Sequence, residues 1–286
     1  MAGESRHRSG HKDGQGGLVL PRSIRKNLSF SLLAAAALLL PGQAALAGDW
    51  TVNLGVEGRV LPSYEGSDRY ILAPFPLIDI RRAGTPERFH SPRDGASLGL
   101  IESGSFRFGP TVKVKLPRDE SDDADLHGLG DVGWTVEAGL FAEYWPLQWL
   151  RTRAELRQGI GGHHGLVADL TADVVVPVAP KLTLSGGPRL TLVTAAANDP
   201  YFSIDAAQSA ASGLPVYDAG GGVQSFGVGA QARYQFTPKW EGHVFLEYER
   251  LVDGAANSPL VTQRGSPDQV QVGLGASYAF DVPGLW

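Results

Sequence analysis

Cysteine is absent from all 286 residues, which excludes a disulfide framework, a thiolate metal site and a thiol nucleophile. Long apolar runs are missing too. Beyond the N-terminal region no stretch reaches about 18 consecutive apolar residues, so no segment there reads as a membrane-spanning helix. Positive charge is in short supply, with 25 Lys and Arg against 30 Asp and Glu, and such a chain makes a poor nucleic-acid partner. A Gly-x-Ser-x-Gly motif, which would mark a serine nucleophile, does not occur.

At the N-terminus, Arg22, Arg25 and Lys26 precede an apolar run over residues 28–40, followed by Ala45-Leu46-Ala47. A basic region, a short apolar core and a small-x-small site in this order predict a secretory signal peptide cleaved after Ala47, leaving Gly48 first. Residues 1–21 are longer and more polar than a signal needs; they fit an upstream start codon and receive no structural role. Removing residues 1–47 takes away six basic and two acidic side chains, leaving 19 and 28 and a formal charge of −9. Residues 48–286 read as one domain. In a membrane they must form a closed barrel, the only non-helical way to satisfy every backbone polar group in lipid.

A period of two recurs along that domain. In residues 269–280, Val270, Val272, Leu274, Ala276, Tyr278 and Phe280 share one face of an extended strand, because successive side chains point to opposite sides. Leu166, Ala168, Leu170, Ala172 and Val174 alternate with Val167, Asp169, Thr171 and Asp173, and Leu150, Thr152, Ala154 and Leu156 with Arg151, Arg153, Glu155 and Arg157. A soluble sandwich would bury the apolar face, whereas a membrane barrel turns it to lipid and lines its lumen with the charges. Aromatics near strand ends (Trp50, Tyr144, Tyr234, Trp240, Tyr248, Tyr278, Phe280) and strands of about 10 to 13 residues favour the barrel.

Connections alternate between long (residues 117–131, 195–221, 252–267) and tight (102–104, 146–147, 178–181, 237–239). Short periplasmic turns and longer outer loops are the rule for outer-membrane barrels, so both mature termini are expected in the periplasm. Eleven periodic segments are visible, at residues 49–60, 69–82, 88–101, 104–117, 133–146, 148–158, 165–177, 181–194, 223–236, 239–251 and 269–280. Bacterial barrels have even counts. The ambiguity lies between Arg82 and Leu100, where Pro86, Pro92 and Gly95 interrupt the pattern. Splitting it gives twelve strands and demoting a weak segment gives ten; twelve is favoured. The expected fold is a closed, antiparallel, up-and-down transmembrane β-barrel.

Several stretches carry a family resemblance. They are residues 62–68, with Tyr64, Gly66, Ser67 and Asp68; residues 74–80 and 126–131; residues 201–204; residues 212–217, with Ser212, Gly213, Leu214 and Tyr217; residues 248–253, ending in Asp253; and residues 258–261, opening on Ser258 and Pro259. In this order, before a terminal Tyr-x-Phe strand, they resemble the MltA-interacting protein (MipA/OmpV) family of Gram-negative outer membranes. The resemblance implies an outer-membrane barrel. For the family's namesake it implies a scaffold bridging a lytic murein transglycosylase and a murein polymerase; other members are antigens or adhesins. It supplies no catalytic residues. Gly275, Tyr278 and Phe280 are the expected assembly signal, although Asp281 to Trp286 follow the aromatic that usually ends the chain.

The remaining candidate sites read as structural. Neighbouring His163 and His164 point opposite ways on an extended chain and chelate poorly, so they are expected as exposed loop residues. The acidic run over residues 119–125 lacks EF-hand spacing and reads as a solvated outer loop, with bridging of divalent cations among lipopolysaccharide phosphates as the other use. His243 faces the lumen, and His90-Ser91 point apart, so no nucleophile and base meet. Arg151, Arg153, Arg157 and Arg233 are expected to neutralise Glu155, Asp169, Asp173, Glu241, Glu247 and Glu249 across strands, leaving a narrow or blocked lumen. Residues 195–221 are either a plain outer loop or a plug. The sequence thus predicts a barrel without enzymatic activity, cofactor or metal, in contact with outer-membrane lipid and lipopolysaccharide, and acting as a scaffold for murein enzymes. A small diffusion pore and an adhesin are the alternatives.

Overall fold

A computed structural model describes residues 50–84 and 88–284; the expected signal peptide and Trp286 lie outside them. The period-two segments form strands β1 (Trp50–Pro62), β2 (Tyr70–Arg82), β5 (Phe106–Lys115), β6 (Thr135–Leu147), β7 (Leu150–Gly161), β8 (Leu166–Ala179), β9 (Leu182–Val193), β10 (Gly222–Gln235), β11 (Trp240–Leu251) and β12 (Asp268–Val282), with short strands β3 (Ala96–Ser97) and β4 (Ile101–Ser103) between β2 and β5. All join one twelve-stranded sheet in the order β2-β1-β12-β11-β10-β9-β8-β7-β6-β5-β3, with β4 also on β5. Every ladder is antiparallel. The first strand meets the last, Trp50 opposite Val282, so the sheet curls back on itself. Among the described residues no helix is long and apolar enough to cross a membrane.

Burial along the strands is inverted relative to a water-soluble sheet. On β8, Leu170 and Val174 are 42% and 44% exposed while Asp169 and Asp173 are 5% and 1% exposed. On β7, Leu156 faces outward and Arg151 and Arg157 are buried. A large, continuous exposed apolar face is what lipid requires. Aromatics gather where strands end: Trp240, Tyr278 and Phe280 stack edge-to-face at 5.0 and 4.7 Å, beside the Tyr234–Phe236 pair at 5.0 Å. Tyr70 and Tyr248 stand at the opposite end.

The split between Arg82 and Leu100 differs from expectation. Residues 88–95 contain no strand, although residues 88–101 read as one. Pro92 cannot donate to a ladder, and Arg93 and Asp94 find their partners inside the lumen. Only β3 and β4 reach the wall, end to end along β5 with Ala96 opposite Val112 and Ile101 opposite Phe108. The alternation of antiparallel neighbours makes β2 and β3–β4 run in the same direction, so the two edges of the sheet cannot join as a hairpin. Ten long strands and the end-to-end pair β3–β4 make up the sheet, and residues 88–95 lie in its interior.

The tight turns and both ends of the described chain lie at one end of the sheet; the long connections lie at the other. There the connections fold into helices α1 (Ala195–Phe202), α2 (Ala206–Ser212), α3 (Asp253–Ala256) and α4 (Pro259–Arg264), with a 3₁₀ turn at Ala124–Leu126. They form a cap with an apolar core of its own. Tyr64, Leu126, Leu129, Ile204, Leu214 and Leu260 pack together next to a second group that includes Val132, Phe202, Leu251 and Val261.

Candidate functional site

Two assemblies hold the polar residues of interest: the lumen and the cap. In the lumen, period-two geometry aims Arg151, Arg153 and Arg157 of β7 at the acids of β6 and β8. Arg151 meets Glu143 at 2.8 Å and Asp173 at 3.2 Å. Arg153 meets Glu155 at 2.6 Å, and Arg157 meets Glu137 at 2.9 Å and Asp169 at 2.5 Å. Arg189 of β9 adds a 2.7 Å contact to Asp173, and Arg233 pairs with Glu241 at 2.7 Å. The expected cross-strand neutralisation is therefore present, and it extends to Glu137, Glu143 and Arg189. Taken from water singly, each charge would cost several kcal/mol, which only this mutual pairing offsets.

Residues 88–95 complete the network. Asp94 takes a 2.6 Å contact from Arg151. Arg93 reaches Glu247 at 2.6 Å and Asp169 at 3.3 Å, and pairs with Glu249. Ser91 Oγ accepts from Arg189 at 3.3 Å, and the Gly95 amide donates to Glu155 at 3.1 Å. Phe89 lies under Arg151 and edge-on to Trp145. The segment that occupies the lumen is thus residues 88–95, while residues 195–221 become α1 and α2 of the cap. Its signal in the sequence was a charged Arg-Asp pair between Pro92 and Gly95 that broke the period of two.

His163 corrects another expectation. It is 1% exposed, hydrogen-bonded to Glu137 at 3.1 Å and edge-on to Tyr201, whereas His164 is exposed as expected. The extended chain does turn the two rings opposite ways, one of them into the barrel mouth. His243 pairs with Glu57 in the lumen.

The cap brings together the motif residues of three separate loops. Tyr64 is buried and donates to the Arg264 carbonyl at 3.2 Å. Gly66 has φ +94°, a conformation that favours glycine, and its amide donates to Gln269. Ser67 is buried and accepts from Ser63 Oγ at 2.8 Å, while Asp68 is exposed. Gly213 ends α2 in the left-handed region, the usual αL cap. Ser212 Oγ accepts from the Leu214 amide, and Leu214 enters the core. Tyr217 donates to the Gly254 carbonyl at 2.9 Å. Asp253 opens α3 at φ +47°. Ser258 is fully buried and donates to the Phe202 carbonyl at 2.7 Å, and Pro259 follows at the first position of α4. The acidic run joins the cap rather than standing in solvent: Asp123 is buried, pairs with Arg69 at 2.7 Å and accepts from Ser63.

Burial sets the electrostatics of the cap. Desolvation, reinforced by Asp125 and Asp123, pushes the Tyr64 hydroxyl well above the usual phenol range. Burial likewise raises Tyr201 and Tyr217 and pulls the Arg118 guanidinium down. Arg118 bonds the Tyr201 and Pro200 carbonyls at 2.9 and 3.2 Å, at the C-terminal end of α1, where a cation is favoured. Lys115 lies 3.5 Å from the centre of the Tyr201 ring and 2.8 Å from Glu65, so α1 spans the mouth. Gly275, Tyr278 and Phe280 sit apart from the cap, on β12. Gly275 leaves room for the His243 ring across the ladder.

The family model for the MltA-interacting protein MipA matches residues 54–280, from β1 through the cap to the last strand. The chain belongs to the MipA family. No curated protein matches it. Among solved structures it is similar to an outer membrane channel (COG4313) from Pseudomonas putida F1, with 12% identity over 85% of this chain and 100% of that one and a TM-score of 0.41. The KdgM porin gives 7% identity, 82% and 99% coverage and a TM-score of 0.36. The NanC porin gives 8%, 80% and 98%, and 0.37. As a MipA-family protein with an inside-out sheet of the outer-membrane type, the chain is an outer-membrane β-barrel protein.

Proposed function

We propose that this barrel is a non-enzymatic docking protein that holds murein-remodelling enzymes at the outer membrane, with both mature termini in the periplasm. The observation that carries the reading is the occupied lumen. With residues 88–95 ion-paired across the interior and α1 over the mouth, the resting molecule offers its end surfaces, not a passage, for function. The family's name gives the partner's class, a lytic murein transglycosylase of the MltA kind; a murein polymerase is the second enzyme of such an assembly. In this reading the wall closes where β2 faces β3–β4, since lipid tolerates no open sheet edge, and the outer face contacts lipid and lipopolysaccharide.

The docking end comprises the tight turns at residues 148–149, 180–181 and 236–239 together with the strand ends around Trp50 and Val282. Lys239 and Asp281 pair there at 3.1 Å. A standard interface buries about 800 Å² per partner, so several turns must act together. The test is surface plasmon resonance with a purified transglycosylase of this class over the detergent-solubilised barrel, with a barrel of equal net charge as the reference. Saturable binding weakened by Lys239→Glu and Lys181→Glu together is expected; a response equal to the reference overturns the reading.

A further inference from the structure

Residues 88–95 are held by side chains, not by a backbone ladder, and their two anchors differ in what they would leave behind. Without Asp94, Arg151 still has Glu143 at 2.8 Å and Asp173 at 3.2 Å, and Arg153 still has Glu155 at 2.6 Å. Without Arg93, Glu249 loses its ion pair, and Glu247 keeps only the distant Arg189 at 3.9 Å. Among the described residues, an emptied lumen therefore exposes unpaired carboxylates on β11 and no unpaired guanidinium.

Space is already present on the loop side of this segment. A cavity of about 270 Å³ is floored by Pro92 and Arg93. A second, of about 240 Å³ beneath the cap, shares Glu65, Lys115, Gln224 and Gln271 with its lining. The segment thus separates a polar chamber from the turn end.

We infer that residues 88–95 are a displaceable plug, and that their withdrawal opens a cation-selective pore whose filter is Glu247 and Glu249. Charged side-chain rings set the sign of permeant ions in this way. This activity is independent of docking, since a barrel that fails to bind a transglycosylase can still conduct.

The test is planar-bilayer recording of the whole barrel in a KCl gradient. Wild type is expected to be nearly silent. R93A/D94A is expected to conduct several-fold more, with the reversal potential displaced toward that of K⁺, and adding E247Q and E249Q should move it back toward zero. A folded R93A/D94A barrel, judged by heat-modifiable gel mobility, that stays silent or favours Cl⁻ overturns the proposal. Should that variant not fold, Ser91→Cys in the otherwise cysteine-free chain serves instead. Ser91 is 4% exposed, so its labelling by a charged methanethiosulfonate in proteoliposomes supports displacement, and lasting protection overturns it.

Discussion

Arg151 is one of the arginines that hold the interior together. It is fully buried among Asp94, Glu143 and Asp173, so truncation to alanine leaves three carboxylates competing for fewer cations. Breaking a buried pair by removing one partner costs about 3–5 kcal/mol. Arg151→Ala should lower the urea midpoint of the barrel in vesicles accordingly, while Arg250→Ala, at an exposed pair with Asp268, should change it little.

The cap tyrosines make a separate pH prediction. Tyr64, Tyr201 and Tyr217 all have hydroxyls raised above the usual phenol value, so folding favours their neutral forms. That contribution is fully present below about pH 10 and is lost as pH rises through the folded values. Hydrogen exchange at alkaline pH should therefore deprotect residues 63–69 and 201–217 before the strands, and Tyr64→Phe should reduce the pH dependence.

Elements differ in how far they could be read from the chain. β8 and β12 announce themselves because a strand with one face in lipid and one in the lumen writes its period of two into consecutive residues. The cap helices leave no such mark. α3 has four residues and α4 six, too short for a 3.6-residue period to repeat, and α1 contains Pro200. Packing of Phe202, Leu260 and Val261 against loops distant in sequence holds them, as short helices generally require. The motif residues were legible as a pattern, but their common destination was not, because it depends on three loops meeting. The lumen crossing was hidden for the same reason: Arg93 and Asp94 look like loop charges until β7, β8 and β11 surround them. His163 was misread because its burial comes from α1 and β6, not from its glycine neighbours.

For the molecule as a whole, lipid is the solvent of the outer face. Leu156 is more than half exposed near the middle of β7, opposite Leu140 and Ala168. Leu156→Arg should cost about 2–4 kcal/mol at the bilayer midplane, measured by urea titration in vesicles. The same substitution at Val216, exposed in the cap, should be nearly neutral.

The register that sets Trp50 against Val282 makes wall formation an all-or-nothing topological event. The strand delivered first has no second neighbour until the strand delivered last arrives, so a nascent barrel must keep β1 from pairing elsewhere for as long as the rest of the chain takes to emerge. A circular permutant that links these two strand ends and is cut open at residues 83–84, between β2 and the segment that leads to β3, would turn that longest-range contact into a hairpin and leave every ladder between sequence neighbours. It should fold into vesicles faster than the native order, since loop-closure entropy then no longer delays the pairing of β1 with β12.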